Sequence, residues 1–239
     1  MFTKQVTKHL LWCAVAVAAC SGADTKGSAT TRSATTRSAP TRNAPAVADT
    51  LPAALLTPNA VALAAKAPAT FSLILITSKG DIEIEVKRSL APLGADRLYY
   101  LANNGYFNGS RFFRVVHDFV AQFGLSGIPV VDRAWDERTL ADDPRKISNT
   151  KGTVTFAKNR PNGRATQLFI NLKDNSGVLD KQKFAPVGRV VRGMDVAVGL
   201  VSTYGEVPNQ NGLIMSHGNK YLRQQFAELD TIASVIVKR

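Results

Sequence analysis

Arg114, Phe119 and Gln122 lie within one short run, Arg111-Phe112-Phe113-Arg114-Val115-Val116-His117-Asp118-Phe119-Val120-Ala121-Gln122-Phe123-Gly124. An arginine and a glutamine among β-forming apolar residues make an unusual core strand and read as one wall of an active site. A guanidinium stays protonated and holds its N–H donors in a rigid fork, while a glutamine offers both donor and acceptor atoms. About 40 residues on, Pro161-Asn162-Gly163-Arg164-Ala165-Thr166-Gln167-Leu168-Phe169-Ile170-Asn171 places a second glutamine near a phenylalanine, here two positions before it. Such groups suit hydrogen bonding to a polar ligand against an apolar surface. Covalent or metal chemistry has little support, because His9, His117 and His217 stand apart with no Cys/His ligand spacing near them.

Together the two segments resemble the signature of cyclophilin-type peptidyl-prolyl isomerases. The family's first motif runs approximately F-H-R-V-I-x-x-F-x-x-Q-G-G, and Phe112, Arg114, Val115, Phe119, Gln122 and Gly124 match it without a gap. Phe113 and Phe123 replace the usual histidine and glycine. The second, approximately S-M-A-N-x-x-P-N-x-x-x-S-Q-F-F-I, is matched by Thr155, Phe156, Ala157, Pro161, Asn162, Thr166, Gln167, Phe169 and Ile170, with Lys158 where asparagine is usual. A third match, Leu179 to Val190, needs a one-residue insertion; it aligns Leu179 with a pocket leucine and Phe184 with a position often held by histidine or tyrosine. The likeness spans roughly residues 69–238.

The resemblance implies that Arg114 is the catalytic residue, hydrogen-bonding the carbonyl or prolyl nitrogen of an X-Pro bond as the amide twists. It implies a substrate site of Phe119, Val120, Gln122, Ala157, Lys158, Gln167, Phe169, Leu179 and Phe184, with no cofactor and no metal. Each residue also has a plainer reading: a solvated strand arginine, core aromatics, glutamines capping the backbone. Their shared register favours the site. The implied activity is isomerisation of X-Pro bonds in exported or envelope proteins. The alternative is a peptide-binding or chaperone module of low activity, suggested by the departures at Phe123, Lys158 and Phe184.

Lys4 and Lys8 precede the apolar run Leu10 to Ala19, which matches the core of a signal peptide and is too short to span a bilayer. Val17-Ala18-Ala19-Cys20-Ser21 resembles a bacterial lipobox, so residues 1–19 are expected to be removed and Cys20 lipidated. An ordinary cleavage after Ala18 is the alternative. Cys13 and Cys20 are the only cysteines, which excludes a disulfide in the processed chain. In a Gram-negative cell, Ser21 implies the periplasmic face of the outer membrane. A degenerate five-residue repeat, Ser28-Ala29-Thr30-Thr31-Arg32 onward, lacks the apolar residues for a core, and residues 20–56 read as a flexible tether.

The chain carries a net charge of +12; without Lys4 and Lys8 it keeps 28 basic against 18 acidic residues, or +10. These are dispersed rather than gathered in a stripe, which argues against nucleic acid as a partner. The expected partners are proline-containing polypeptides and, through the lipid, a membrane; a monomer is expected.

Residues 57–68 suggest a short helical lead-in to a domain of residues 69–239. Ser78-Lys79-Gly80-Asp81 between Phe71–Thr77 and Ile82–Val86 signals a hairpin, and Leu93–Asn104 after Pro92 a helix. Further strands are expected at Phe112–Val116, Val120–Phe123, Thr153–Ala157, Gln167–Asn171, Ala185–Val191 and Ile232–Val237. A second helix is expected at Asp195–Thr203 or Tyr221–Leu229, and Asp132–Ser148 as a polar surface connection. The fold implied is mainly β, a closed eight-stranded antiparallel β-barrel capped by about two α-helices.

Overall fold

The computed structural model describes residues 53–209 and 211–239. The expected signal peptide of residues 1–19, the lipidated Cys20 and the tether as far as residue 52 lie outside the described residues.

Two short helices, α1 (Ala53–Leu56) and α2 (Ala60–Ala64), lead into the sheet. The first corrects the expected extent of the tether. Leu55 is buried, its carbonyl accepts from Trp135 Nε1 at 2.8 Å, and the Ala54 carbonyl accepts from the Tyr100 hydroxyl at 2.9 Å. The folded body therefore begins at or before Ala53. Within residues 57–68, Asn59 caps α2 by accepting from Val61 N at 2.8 Å.

The opening hairpin forms as the sequence signals. β1 (Thr70–Thr77) and β2 (Gly80–Lys87) pair antiparallel around Ser78-Lys79, from Thr70↔Lys87 to Thr77↔Gly80. Alternation along β2 turns Ile82, Ile84 and Val86 inward, all buried, and sends Glu83 and Glu85 toward water. Each such burial is worth about 1.5–3 kcal/mol relative to exposure. Helix α3 (Pro92–Asn103) presses Ala95, Leu98 and Leu101 onto this core.

The strand expected over Phe112–Val116 divides into β3 (Ser110–Arg111) and β4 (Arg114–Val116). Between them, Phe112 packs into the main core and Phe113 into a second apolar cluster with Leu125, Ile214, Leu222 and Leu229. Successive side chains of an extended chain point opposite ways, so two adjacent aromatics serve two cores. β5 (Val120–Phe123) follows β4 in a tight hairpin, then come α4 (Pro129–Asp136), β6 (Thr153–Phe156), β7 (Leu168–Asn171), α5 (Ser176–Leu179) and β8 (Pro186–Arg192). The described chain ends with α6 (Met194–Val198), α7 (Asn211–Gln225) and β9 (Thr231–Lys238).

The nine strands among the described residues make one sheet of order β3-β9-β1-β2-β8-β6-β7-β5-β4, antiparallel at every step. In place of a closed eight-stranded barrel, this is a curled sheet whose two end strands are joined by Phe112-Phe113 rather than by a ladder. The ninth strand is the short β3, which pairs Ser110↔Ile232 and Arg111↔Thr231.

Asp132–Ser148 departs from the expected surface connection. Its first residues belong to α4, where Pro129 starts the helix and Val131 and Trp135, one turn apart, are both fully buried. Asp132 and Asp143 are buried as well. Asp132 accepts from Ser126 N at 2.7 Å, Gly127 N at 3.1 Å and the Tyr106 hydroxyl at 2.9 Å. Asp143 accepts from Leu93 N at 3.1 Å and Gly94 N at 2.9 Å at the start of α3, and from Arg164 Nη1 at 2.9 Å. Acidic side chains that satisfy backbone N–H groups at bends and helix starts go inside despite their polarity.

Both proposed positions of a second helix are helical in part, as α6 and α7. Seven helical segments occur among the described residues, of which α3, α4 and α7 have eight residues or more. The helical turns of α7 are broken at Gly218 (φ 56, ψ −143), where a Cβ would overlap the Gly127 carbonyl oxygen. His217 lies in this segment, and His117 sits in the β4–β5 turn.

Candidate active site

One row of cross-strand neighbours organises the site. Arg114 on β4 pairs with Gln122 on β5, Gln122 with Phe169 on β7, and Phe169 with Thr155 on β6. The two-residue period of β5 sends Val120 and Gln122 to the same face. At its end, Gly124 takes φ +101 and lies against Thr166 and Gln167; a Cβ there would come within 2.5 Å of the Thr166 carbonyl oxygen. This close approach brings Gln167, just before β7, beside Gln122.

The row opens into a cleft of about 780 Å³. Arg114, Phe119, Val120, Gln122 and Ala157 line it, as do Lys158, Gln167, Phe169, Leu179 and Phe184. All ten residues singled out in the folded domain thus share one cavity. Its apolar floor is Val120, Phe169 and Leu179, packed with Phe119, Ala157 and Phe184. The Phe169 and Phe184 rings meet edge to face at 5.7 Å and 72°, a favourable aromatic geometry. Asn149 holds the segment carrying Leu179 and Phe184, donating from Nδ2 to Asp180 Oδ1 at 2.8 Å and to the Phe184 carbonyl at 3.0 Å. Partial burial pushes the Asp180 carboxyl up, but hydrogen bonds from Asn149 and the nearby Arg145 outweigh it and hold the group below its usual value.

A polar line crosses the cleft wall. Arg114 Nη1 donates to Gln122 Oε1 at 3.2 Å, and Gln122 Nε2 donates to Gln167 Oε1 at 2.9 Å. The guanidinium lies 5.5 Å from the Phe119 ring centroid, a cation–π contact. Gln167 is braced from behind. The Tyr106 hydroxyl, bonded to Asp132, also reaches Thr166 Oγ1 at 3.1 Å, and Arg97 Nη1 donates to the Ala165 carbonyl at 3.1 Å. Burial pushes the Arg97 guanidinium down to about 10 and pushes the Asp132 carboxyl up.

Two acidic partners escaped the sequence reading. Glu206, on the loop after α6, accepts from Arg114 Nε at 3.1 Å and forms an ion pair with Nη2. Asp142 holds Lys158: Nζ lies 2.8 Å from Asp142 Oδ2, 3.2 Å from the Lys183 carbonyl and 5.5 Å from the Phe184 ring centroid. Glu206 stands 92 residues from Arg114 in sequence, in a segment with no motif, so no local signal marked it. Among the described residues, no three His, Cys, Asp or Glu side chains gather to hold a metal ion.

The guanidinium uses three of its five N–H groups on Glu206 and Gln122, which leaves two for an incoming group. The cleft can therefore take a small apolar ring into the Phe119, Val120, Phe169 and Leu179 floor while presenting charged donors at its edge and amide groups along its wall.

Comparison with known proteins agrees with this geometry. The sequence model of the family described as cyclophilin type peptidyl-prolyl cis-trans isomerase/CLD matches residues 72–219. A peptidyl-prolyl cis-trans isomerase of Acinetobacter baylyi is 31% identical over 151 residues, covering 59% of this chain and 80% of the relative. A probable peptidyl-prolyl cis-trans isomerase of Brucella abortus is 30% identical over 174 residues, covering 66% and 88%. Among solved structures, a cyclophilin-type isomerase of Cryptosporidium parvum superposes with a TM-score of 0.54 at 16% identity, covering 71% of this chain and 98% of its own. That protein has also been crystallised in the presence of the dipeptide Ala-Pro.

Proposed function

The chain belongs to the cyclophilin-type peptidyl-prolyl cis-trans isomerases, and we propose that Arg114 drives its reaction by stabilising the twisted X-Pro amide above the apolar floor of the cleft. The observation that carries this reading is the shared line from Arg114 through Gln122 to Gln167 beside the Phe169 floor.

The amide resists rotation by about 18–20 kcal/mol because the nitrogen lone pair is delocalised into the carbonyl. No bond has to break. As the amide twists, conjugation is lost and the lone pair returns to a pyramidal prolyl nitrogen, which accepts a hydrogen bond that the planar ground state accepts poorly. A charged donor held at that nitrogen therefore binds the twisted state more tightly than either planar isomer, which is the condition for catalysis. Removing one such donor from an active site typically costs about a hundredfold to a thousandfold in rate. The pyrrolidine ring occupies the floor of Phe119, Val120, Phe169 and Leu179, with Phe184 and Ala157 at its rim. Gln122 and Gln167 hold the flanking backbone while the bond turns, and Lys158 borders the peptide path. A proline peptide is the ligand class, in keeping with the Ala-Pro dipeptide used with the Cryptosporidium parvum protein.

The substrates are exported or envelope polypeptides, and the enzyme is held at a membrane by a lipid on Cys20. The lipobox-like Val17 to Ser21 and the polar repeat after it support this placement. Isomerisation of an Ala-Ala-Pro-Phe peptide, followed by a coupled protease, tests the catalytic reading; equal rates from wild type and Arg114→Ala contradict it. Partitioning of the full chain with membranes tests the anchor, since Cys20→Ser releases a lipidated protein and leaves an unlipidated one where it was.

A further inference from the structure

Glu206 owes its place to the loop between α6 and α7. Tyr204, two residues earlier, packs against Phe226 at 5.2 Å and 74° in the second apolar cluster. Gly205 takes φ 52, and Val207 N and Asn209 N bond back to the Tyr204 and Glu206 carbonyls at 3.0 Å. A turn anchored by an aromatic ring thus delivers the Glu206 carboxylate to the cleft edge.

There a single oxygen, Oε1, accepts from Nε and pairs with Nη2, the two nitrogens along one edge of the Arg114 guanidinium. On the other side Nη1 donates to Gln122, and the Phe119 ring lies beneath the group. A free arginine side chain has several rotatable bonds whose freedom is lost on ordering. Three contacts on three sides remove that freedom before substrate arrives.

We propose that Glu206 is a positioning residue, clamping the Nε–Nη2 edge of Arg114 so that the unshared N–H groups are fixed over the cleft. The proposal rests on the reading of Arg114 as the catalytic group. Its competitor is a carboxylate that merely occupies Arg114 until substrate displaces it, and the two predict opposite signs.

Isomerisation of an Ala-Ala-Pro-Phe peptide by wild type, Glu206→Ala, Glu206→Gln and Arg114→Ala, with a thermal unfolding curve for each, separates them. Misplacing a catalytic group by roughly 1 Å can cost about a hundredfold, and with Gln122 and Phe119 still in place the loss in Glu206→Ala is about tenfold, in kcat rather than KM. Glu206→Gln recovers most of it, because a glutamine oxygen accepts the same two hydrogen bonds, and the unfolding midpoints agree. A Glu206→Ala enzyme as fast as wild type or faster overturns the clamp, as does an equal loss in Glu206→Ala and Glu206→Gln. Full activity in Arg114→Ala instead sinks the catalytic reading, whereas loss in Arg114→Ala beside an intact Glu206→Ala sinks the clamp alone.

Discussion

The Lys158 ammonium and the Asp142 carboxylate, 2.8 Å apart, tie the cleft rim to the long connection between α4 and β6. Asp142 also lies 3.5 Å from Arg164 Nε, and Arg164 pairs with Asp143 at the start of α3. The lysine that replaces the family's usual asparagine is thus one end of a charge network that runs into the core.

That network sets a pH dependence. Partial burial pushes the Asp142 carboxyl up, but the hydrogen bond from Lys158 and the charges of Lys158 and Arg164 prevail and hold it below its ordinary value. A depressed carboxyl contributes stability above its unfolded pKa of about 4 and loses it as pH falls through the folded value. Lys158→Met is therefore less stable than wild type near neutral pH, and the gap narrows as the pH drops below about 4. Urea unfolding of both proteins across that range measures it; a gap independent of pH contradicts the assignment.

Arg164→Met tests the buried part of the same network. The Arg164 and Asp143 side chains are each 3% exposed, and removing one partner of a buried pair strands the other's charge at a cost of about 3–5 kcal/mol. Chemical denaturation should show a loss of that size. A loss under about 1 kcal/mol, the usual worth of a surface pair, would mean that water reaches Asp143.

Phe169→Ala opens the apolar floor of the cleft. Phe169 is 5% exposed and packs on Phe184, Val120 and Leu179, so truncation costs about 3 kcal/mol or more in stability. With the prolyl ring seated there as proposed, peptide affinity, read by titration monitored by NMR, weakens as well. Unchanged affinity in a folded Phe169→Ala protein would place the ring elsewhere.

Much of the site was legible because it is local. Arg114, Phe119 and Gln122 belong to one hairpin, and the β4–β5 register alone brings the first and last together. Gln167 and Phe169 lie just before and on the strand that pairs with β5. The hidden features depend on distant partners. Nothing near Asp132 signals that Ser126, Gly127 and Tyr106 will enclose it, and nothing near Glu206 points to Arg114. The same limit applies to the fold: short apolar runs between turn residues marked the strands, with alternation clear only in β2, but the break between β3 and β4 required knowing that Phe112 and Phe113 enter different cores.

We propose that Arg114 acts on the twisted amide rather than on the bound peptide. The direct measurement is kcat for an Ala-Ala-Pro-Phe peptide, set beside its dissociation constant, in wild type and Arg114→Ala. Arg114→Ala is expected to lower kcat by about a hundredfold to a thousandfold with affinity changed less than about threefold, the mark of an interaction made in the transition state. An Arg114→Ala enzyme that keeps its kcat and loses only affinity would contradict it.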